Sequence, residues 1–181
     1  VDGHLIALDR ADGSALTLEP GSQLEFSTPP RRDALQVDAD VRAFAAEFRD
    51  ATAGLDVALT GIGLNPFSAT REVELGPKPR YHIMTDYLSK TGTLALDMMR
   101  RTCSVHVTFD YRDEADIAEM QRVAFAVTPV VVAMFAHSPI EKLAANGFRS
   151  FRWEVWQHTD PDRCGLLPGV FDPGFGFDRY V

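Results

Sequence analysis

Three short runs carry the side chains able to do chemistry. In Ser22-Gln23-Leu24-Glu25-Phe26 polar and apolar residues alternate, and they alternate again from Arg101 to Asp110 and from Phe148 to Trp156. A strand sends successive side chains to opposite faces, so each run divides in two. Leu24 and Phe26 oppose Gln23 and Glu25; Cys103, Val105, Val107 and Phe109 oppose Thr102, Ser104, His106, Thr108 and Asp110. In the third run, Phe151, Trp153 and Val155 oppose Ser150, Arg152 and Glu154, with Trp156 also on the polar side. The polar faces hold carboxylates, an amide, hydroxyls and a guanidinium, but no lysine. Glu25 and Glu154 are hard oxygen donors suited to Mg²⁺, and Arg152 suits a carboxylate or phosphate. That set fits phosphoryl transfer, and a merely solvated sheet face fits the same pattern.

The elements that must position these residues are read from periodicity. Asp12-Gly13 between His4–Leu8 and Leu16–Leu18 signals a hairpin. Val41, Phe44, Ala45 and Phe48 predict a helix from Asp38 that stops near Gly54. Val57, Leu59, Ile62 and Leu64 predict a strand, and Asn65–Pro79 a loop. A short helix is expected over Arg80–Tyr87. Asp113 is placed to cap a long helix with Ile117, Met120, Ala124, Val127 and Val131 as its stripe, kinked at Pro129. Cys103, Met98, Met99 and Trp153 are expected in the core, and the pairs Arg31-Arg32 and Arg100-Arg101 in solvent. Irregular alternation of strands and helices points to an α+β fold.

The 181 residues suffice for a single domain, and 18 Lys+Arg against 26 Asp+Glu give a net charge of −8. That balance argues against nucleic acid and anionic membrane surfaces as partners. Two cysteines, Cys103 and Cys164, fit a reducing cytoplasm. The apolar stretch Val123–Ala136 is too short to span a bilayer. No signal peptide opens the chain, and its ends are expected to be cut from something longer. Gly61-Ile62-Gly63 and Gly174-Phe175-Gly176 lack the rest of a nucleotide fingerprint, and neither HExxH nor GxSxG occurs.

Several segments stand out in order: Leu18-Glu19-Pro20-Gly21-Ser22-Gln23-Leu24-Glu25-Phe26-Ser27, Pro77-Lys78-Pro79-Arg80-Tyr81-His82-Ile83-Met84, and Leu96-Asp97-Met98-Met99 with Arg101-Thr102-Cys103-Ser104-Val105. Ser138-Pro139, Asn146-Gly147-Phe148 with Ser150, Arg152 and Trp156, and Asp160-Pro161-Asp162-Arg163 with Gly165 complete the series. Taken together they resemble glutamate–cysteine ligases of the plant and proteobacterial type.

The resemblance implies an antiparallel sheet bowl backed by helices, the carboxylate–amine ligase fold shared with glutamine synthetase. Residues 1–181 would form part of the catalytic domain of a longer ligase. It also implies ATP-dependent joining of the glutamate γ-carboxylate to the cysteine amine through γ-glutamyl phosphate, with Mg²⁺ as the metal. Glutathione biosynthesis begins with that step. By position, Glu25 would bind metal, and Arg152 and Arg163 would be catalytic phosphate or carboxylate contacts. Gln23, Arg80, Tyr81, Met84, Thr102 and His106 would line the substrate pocket. The partners implied are small molecules (glutamate, cysteine and ATP), with no nucleic acid and no membrane. The chain departs from the family pattern at His106, where Gln is usual, at His137 (Asn), at Cys164 (Thr) and at Pro79 (Gly). A related glutamate–amine ligase, as in ergothioneine synthesis, and a non-catalytic binding member of the fold are the alternatives.

Overall fold

The computed structural model describes residues 3–180. A meander of three antiparallel strands opens it: β1 (Ala7–Asp9), β2 (Ala15–Leu18) and β3 (Leu24–Ser27), in that spatial order. Leu16 pairs with Phe26, and Thr17 with Glu25. The β1–β2 turn forms at the expected place: Gly13 takes φ +84°, and Asp12 Oδ1 accepts from both the Ser14 amide and hydroxyl. Helix α1 (Ala34–Ala51) lays Phe44 on Phe26, ring centroids 4.4 Å apart and nearly parallel. It begins four residues before the predicted start because Asp33 caps it, accepting from the Gln36 amide at 2.9 Å.

Helix α2 (Arg80–Thr91) packs on α3 (Ala95–Arg101), and α3 packs on α5 (Phe151–Gln157). Tyr81, Leu88, Ala95 and Met99 form the buried cluster, with Met84, Leu96 and Met98 against it. Gly92, between α2 and α3, lies so close to the main chain of His158 and Thr159 that a Cβ there would collide with both carbonyls. Helix α4 (Glu114–Met134) is capped by Asp113, as expected, and Pro129 lies inside it without ending it. A two-residue pair, β4 (Ile140–Glu141) with β5 (Ala144–Ala145), and the short α6 (Phe177–Tyr180) complete the elements.

The fold is α+β, and three sequence expectations are corrected. Residues 148–156 are not a strand. Ser150 makes one parallel bridge to Ser138, and α5 follows. Over seven residues a period of two also places residues i and i+4 on one side, so Phe151/Val155 and Arg152/Trp156 satisfy a helix equally well. Trp153 is accordingly 41% exposed, not core. Residues 103–110 form no ladder: only Thr102 is bridged, to Leu64, by Asn65 N–H to Arg101 O (2.8 Å) and Cys103 N–H to Gly63 O (3.0 Å). Residues 57–63 likewise form no strand. Two of the three alternating runs read as strands are therefore a helix and an unpaired extended segment.

The apolar stretch expected to be too short for a bilayer belongs to a 21-residue helix that starts at Glu114. Among the described residues, α4 is the one helix long and apolar enough to cross a membrane by length and composition, and none of its residues is buried. The Arg100-Arg101 pair is not in solvent either. Arg101 is 1% exposed and donates to Asp97 Oδ1 (2.6 Å), Glu141 Oε1 (3.1 Å) and Asn65 O (3.1 Å).

Candidate active site

A cavity of about 410 Å³ opens where α2, α3, the end of α5 and the following loop meet. Met84 and Tyr87 project into it from α2, Met98 from α3, Trp156 from α5, and Asp160 and Arg163 from the loop. The loop is shaped by Asp160, which is 2% exposed. Its carboxylate accepts from Arg163 Nε at 2.7 Å and from the Asp162 amide at 3.1 Å, and its carbonyl accepts from the Cys164 amide at 2.8 Å. Arg163 holds the Asp160 carboxyl below the usual range, chiefly by that hydrogen bond. The Arg163 guanidinium also lies over the Tyr87 ring, 4.7 Å from its centroid.

Arg152 stands one helical turn before Trp156, so α5 carries the guanidinium onto the indole at 5.8 Å. Its amide donates to Ser138 Oγ at 2.9 Å, its Nε to Cys103 O at 3.0 Å, and its Nη2 to the Ser104 hydroxyl. Burial is the main influence on this guanidinium and lowers its pKa, although an arginine stays charged. Among the described residues no carboxylate pairs with it; the neighbouring Glu154 faces His158 at 3.4 Å. A half-buried cation held by a carbonyl, a hydroxyl and an aromatic face has its charge available for an anion.

Other residues singled out from sequence fall in different places. Gln23 donates to Arg100 O (2.9 Å) and Thr102 O (3.4 Å) while its Oε1 accepts from the Gly21 amide (2.7 Å), tying the β2–β3 turn to the end of α3. Thr102 Oγ1 donates to Met98 O at 2.7 Å. Tyr81 is fully buried, its hydroxyl on Leu18 O at 3.1 Å, and the exposed Arg80 covers the Tyr81 ring at 5.2 Å. These atoms hold main chain rather than face the cavity. His106 is exposed on the extended segment, and Glu25 is exposed on the outer strand of the meander.

Of the expected set, Met84 and Arg163 share the cavity, and Arg152 stands behind its Trp156 wall. Cys103 is half-buried rather than core, and burial raises its thiol pKa. Among the described residues no group of three or more His, Cys, Asp or Glu is placed to hold a metal ion. Glu25 alone does not make a Mg²⁺ site. Asp160 and Tyr87 were not assigned to the site from sequence; the signal for the first was its place in the family-like segment Asp160-Pro161-Asp162-Arg163, three residues before Arg163.

A helical cleft lined by two methionines and two aromatic rings, with arginines at its edge and behind its wall, has the make-up of a candidate small-molecule site. A sequence profile described as glutamate-cysteine ligase family 2 (GCS2) matches residues 3–181, and the chain belongs to that family. It is 41% identical to the chloroplastic glutamate–cysteine ligase of Arabidopsis thaliana over 92% of this chain, and 40% identical to that of Medicago truncatula over 98%. Against glutamate–cysteine ligase A of Oryza sativa subsp. japonica it is 38% identical over 99%. Those alignments cover 32%, 35% and 36% of the relatives, so the chain spans about a third of their length. The relatives are chloroplastic, which overturns the cytoplasmic placement expected from sequence; two cysteines do not distinguish one reducing compartment from another.

Proposed function

We propose that residues 1–181 are part of the catalytic domain of an ATP-dependent ligase that joins the γ-carboxylate of glutamate to the amine of cysteine. The reading rests on family membership and, within the molecule, on one observation: Arg152 is a half-buried guanidinium with no carboxylate partner among the described residues, fixed beside the wall of a cavity.

A free carboxylate does not acylate an amine at neutral pH. In the proposed reaction a γ-carboxylate oxygen attacks the γ-phosphorus of ATP and ADP leaves. The amine nitrogen, having lost a proton, then attacks the acyl carbon of γ-glutamyl phosphate, and phosphate departs. Negative charge accumulates on the transferring phosphoryl group, and a guanidinium already fixed by Cys103 O and Ser104 can offset it without reorganising. Arg163, clamped by Asp160, takes the role of the second anion contact, and Met84 lies on the apolar side of the amino-acid pocket. Gln23, Tyr81 and Thr102 act as positioning residues through the main chain they hold, with Arg80 at the rim. His106 is assigned to the same polar side as Ser104. Mg²⁺ would accompany ATP, with Glu25 as the one donor assigned here. The remaining donors, and the glutamine synthetase-like sheet bowl, would need sequence beyond this chain.

The test is phosphate release from Mg-ATP and glutamate, with and without cysteine, by a polypeptide of the relatives' length. Cysteine-stimulated release is expected, falling about 10²–10³-fold in Arg152→Ala. Unchanged turnover in that variant removes Arg152 from the reaction. Ligand binding without phosphate release in the unaltered polypeptide overturns the ligase reading in favour of a binding-only member.

A further inference from the structure

Helices α2 and α3 contribute to two separate clefts. The candidate active site takes Met84 and Tyr87 from α2 and Met98 from α3. A second cleft, of about 470 Å³, takes Ser89, Lys90 and Thr91 from α2 and Asp97 from α3, with Thr93 from the corner between them and Thr70 from the loop before α2. The first is lined mainly by apolar and aromatic side chains, the second mainly by hydroxyls and two charges. The proposed ligase chemistry makes no use of the second.

Its charges are not balanced locally. Arg101 is one cation between two carboxylates, Asp97 and Glu141, and among the described residues neither carboxylate has another cation. One negative charge is left over in a cluster whose arginine is 1% exposed. Thr70 Oγ1 and Arg101 Nη1 both donate to Asp97 Oδ1. Among the described residues Oδ2 accepts from nothing, which leaves a strong acceptor open on a half-buried carboxylate. Lys90 is exposed and, among the described residues, pairs with no carboxylate and donates to no acceptor. The hydroxyls of Thr70, Ser89 and Thr91 donate to Asp97, to Asp86 O and to Leu88 O, so their hydrogens are used and their oxygens remain as acceptors.

We propose that this cleft is a second small-molecule site, and that it takes a zwitterion with a primary ammonium and a carboxylate on one short chain. The ammonium is held by Asp97 Oδ2 and the Thr70 oxygen, and the carboxylate by Lys90. The unbalanced charge at Asp97 and the charge of Lys90 sum to zero, as do those of the ligand. A phosphate ester would bring about 1.5–2 negative charges to a single exposed lysine, and a simple cation would leave that lysine unanswered. The inference stands on charge and hydrogen bonding in this cleft, not on the ligase reading, so either can fail alone.

Methyl NMR on the longer polypeptide, of the relatives' length, tests it with β-alanine and γ-aminobutyrate as probes and with methylammonium and acetate as their separate halves. The Thr70, Thr91, Thr93 and Leu96 methyls report on this cleft, and the Met84 methyl on the candidate active site. The expected result is a saturable shift of the first group by at least one zwitterion, with either half binding about tenfold more weakly. Lys90→Ala, an exposed position that folding does not depend on, should weaken the zwitterion about fivefold and leave methylammonium unchanged. Asp97→Asn should remove the response to both. Absence of a saturable shift, shifts led by Met84, or equal binding by acetate alone would overturn the site. Unchanged zwitterion affinity in Lys90→Ala would overturn the assigned ligand class.

Discussion

The α2–α3–α5 sector and the stretch from residue 103 to the end of α4 differ in where their apolar side chains find neighbours. In the first, Tyr81, Leu88, Ala95 and Met99 bury one another, and Arg101 is enclosed by Asp97, Glu141 and Asn65. In the second, Val105, Val107 and Phe109 are in water, and α4 buries nothing over 21 residues. Hydrophobicity is not the distinction, since α4 is the more apolar helix. What differs is sequence distance. Helices α2 and α3 are joined by three residues and meet at little loop-closure cost, whereas among the described residues no element adjacent in sequence covers the second stretch. The comparison predicts that substitutions in the first sector destabilise this chain, while matching ones in the second do so only in the longer polypeptide.

The largest effect is expected from Arg101→Ala. It leaves Asp97 and Glu141 facing each other around the space of a buried cation, at a cost of about 3 kcal/mol, because both carboxylates keep some contact with water. Denaturant unfolding reads this directly, and a change below about 0.5 kcal/mol would erase the contrast between sectors. Tyr81→Phe should cost about 1 kcal/mol or less by the same measurement. It removes the bond to Leu18 O, but Lys78 Nζ still donates to that oxygen at 2.8 Å.

Val131→Ser, 44% exposed on α4, should shift the chain's own stability by no more than about 0.5 kcal/mol. A much larger loss would mean that α4 already has a core here. The smallest effect is a pH dependence at the start of α4, where Arg112 holds the Asp116 carboxyl at about 2, below its ordinary 3.8. A depressed acid stabilises the fold above its unfolded value and loses that contribution as pH falls through the folded one. Arg112→Ala should therefore be the less stable protein above pH 3.8, and the two should converge as pH falls through about 2. A constant difference across that range would assign the effect to something other than Asp116.

Legibility followed locality. Asp12-Gly13 and the Asp113 cap were read correctly because a turn and an N-cap are decided within four residues. Asp33 was overlooked by the same rule, as it lies before the first apolar residue of the stripe. The run 148–156 was expected as a strand because the residues that form α5 satisfy both periods, and only the packing of α5 on α3 selects the helix. The candidate site was legible in part: Arg152, Trp156, Met84 and Arg163 were singled out, but Asp160 and Tyr87 were not. Gln23, Tyr81 and Thr102 were placed in the substrate pocket by the resemblance, and the structure uses their polar groups on main chain.

The sequence by itself determined the α+β class, the family, and which side chains could bind an anion, because turn chemistry, caps and residue type are local properties. Tertiary structure alone decided that Arg101 is buried, that Arg152 rests on Trp156 beside a cavity, and that the strand-like runs 57–63 and 103–110 stay apart. Each of those outcomes depends on which segments find a partner, and a partner distant in the chain leaves no mark in the spacing of neighbouring residues.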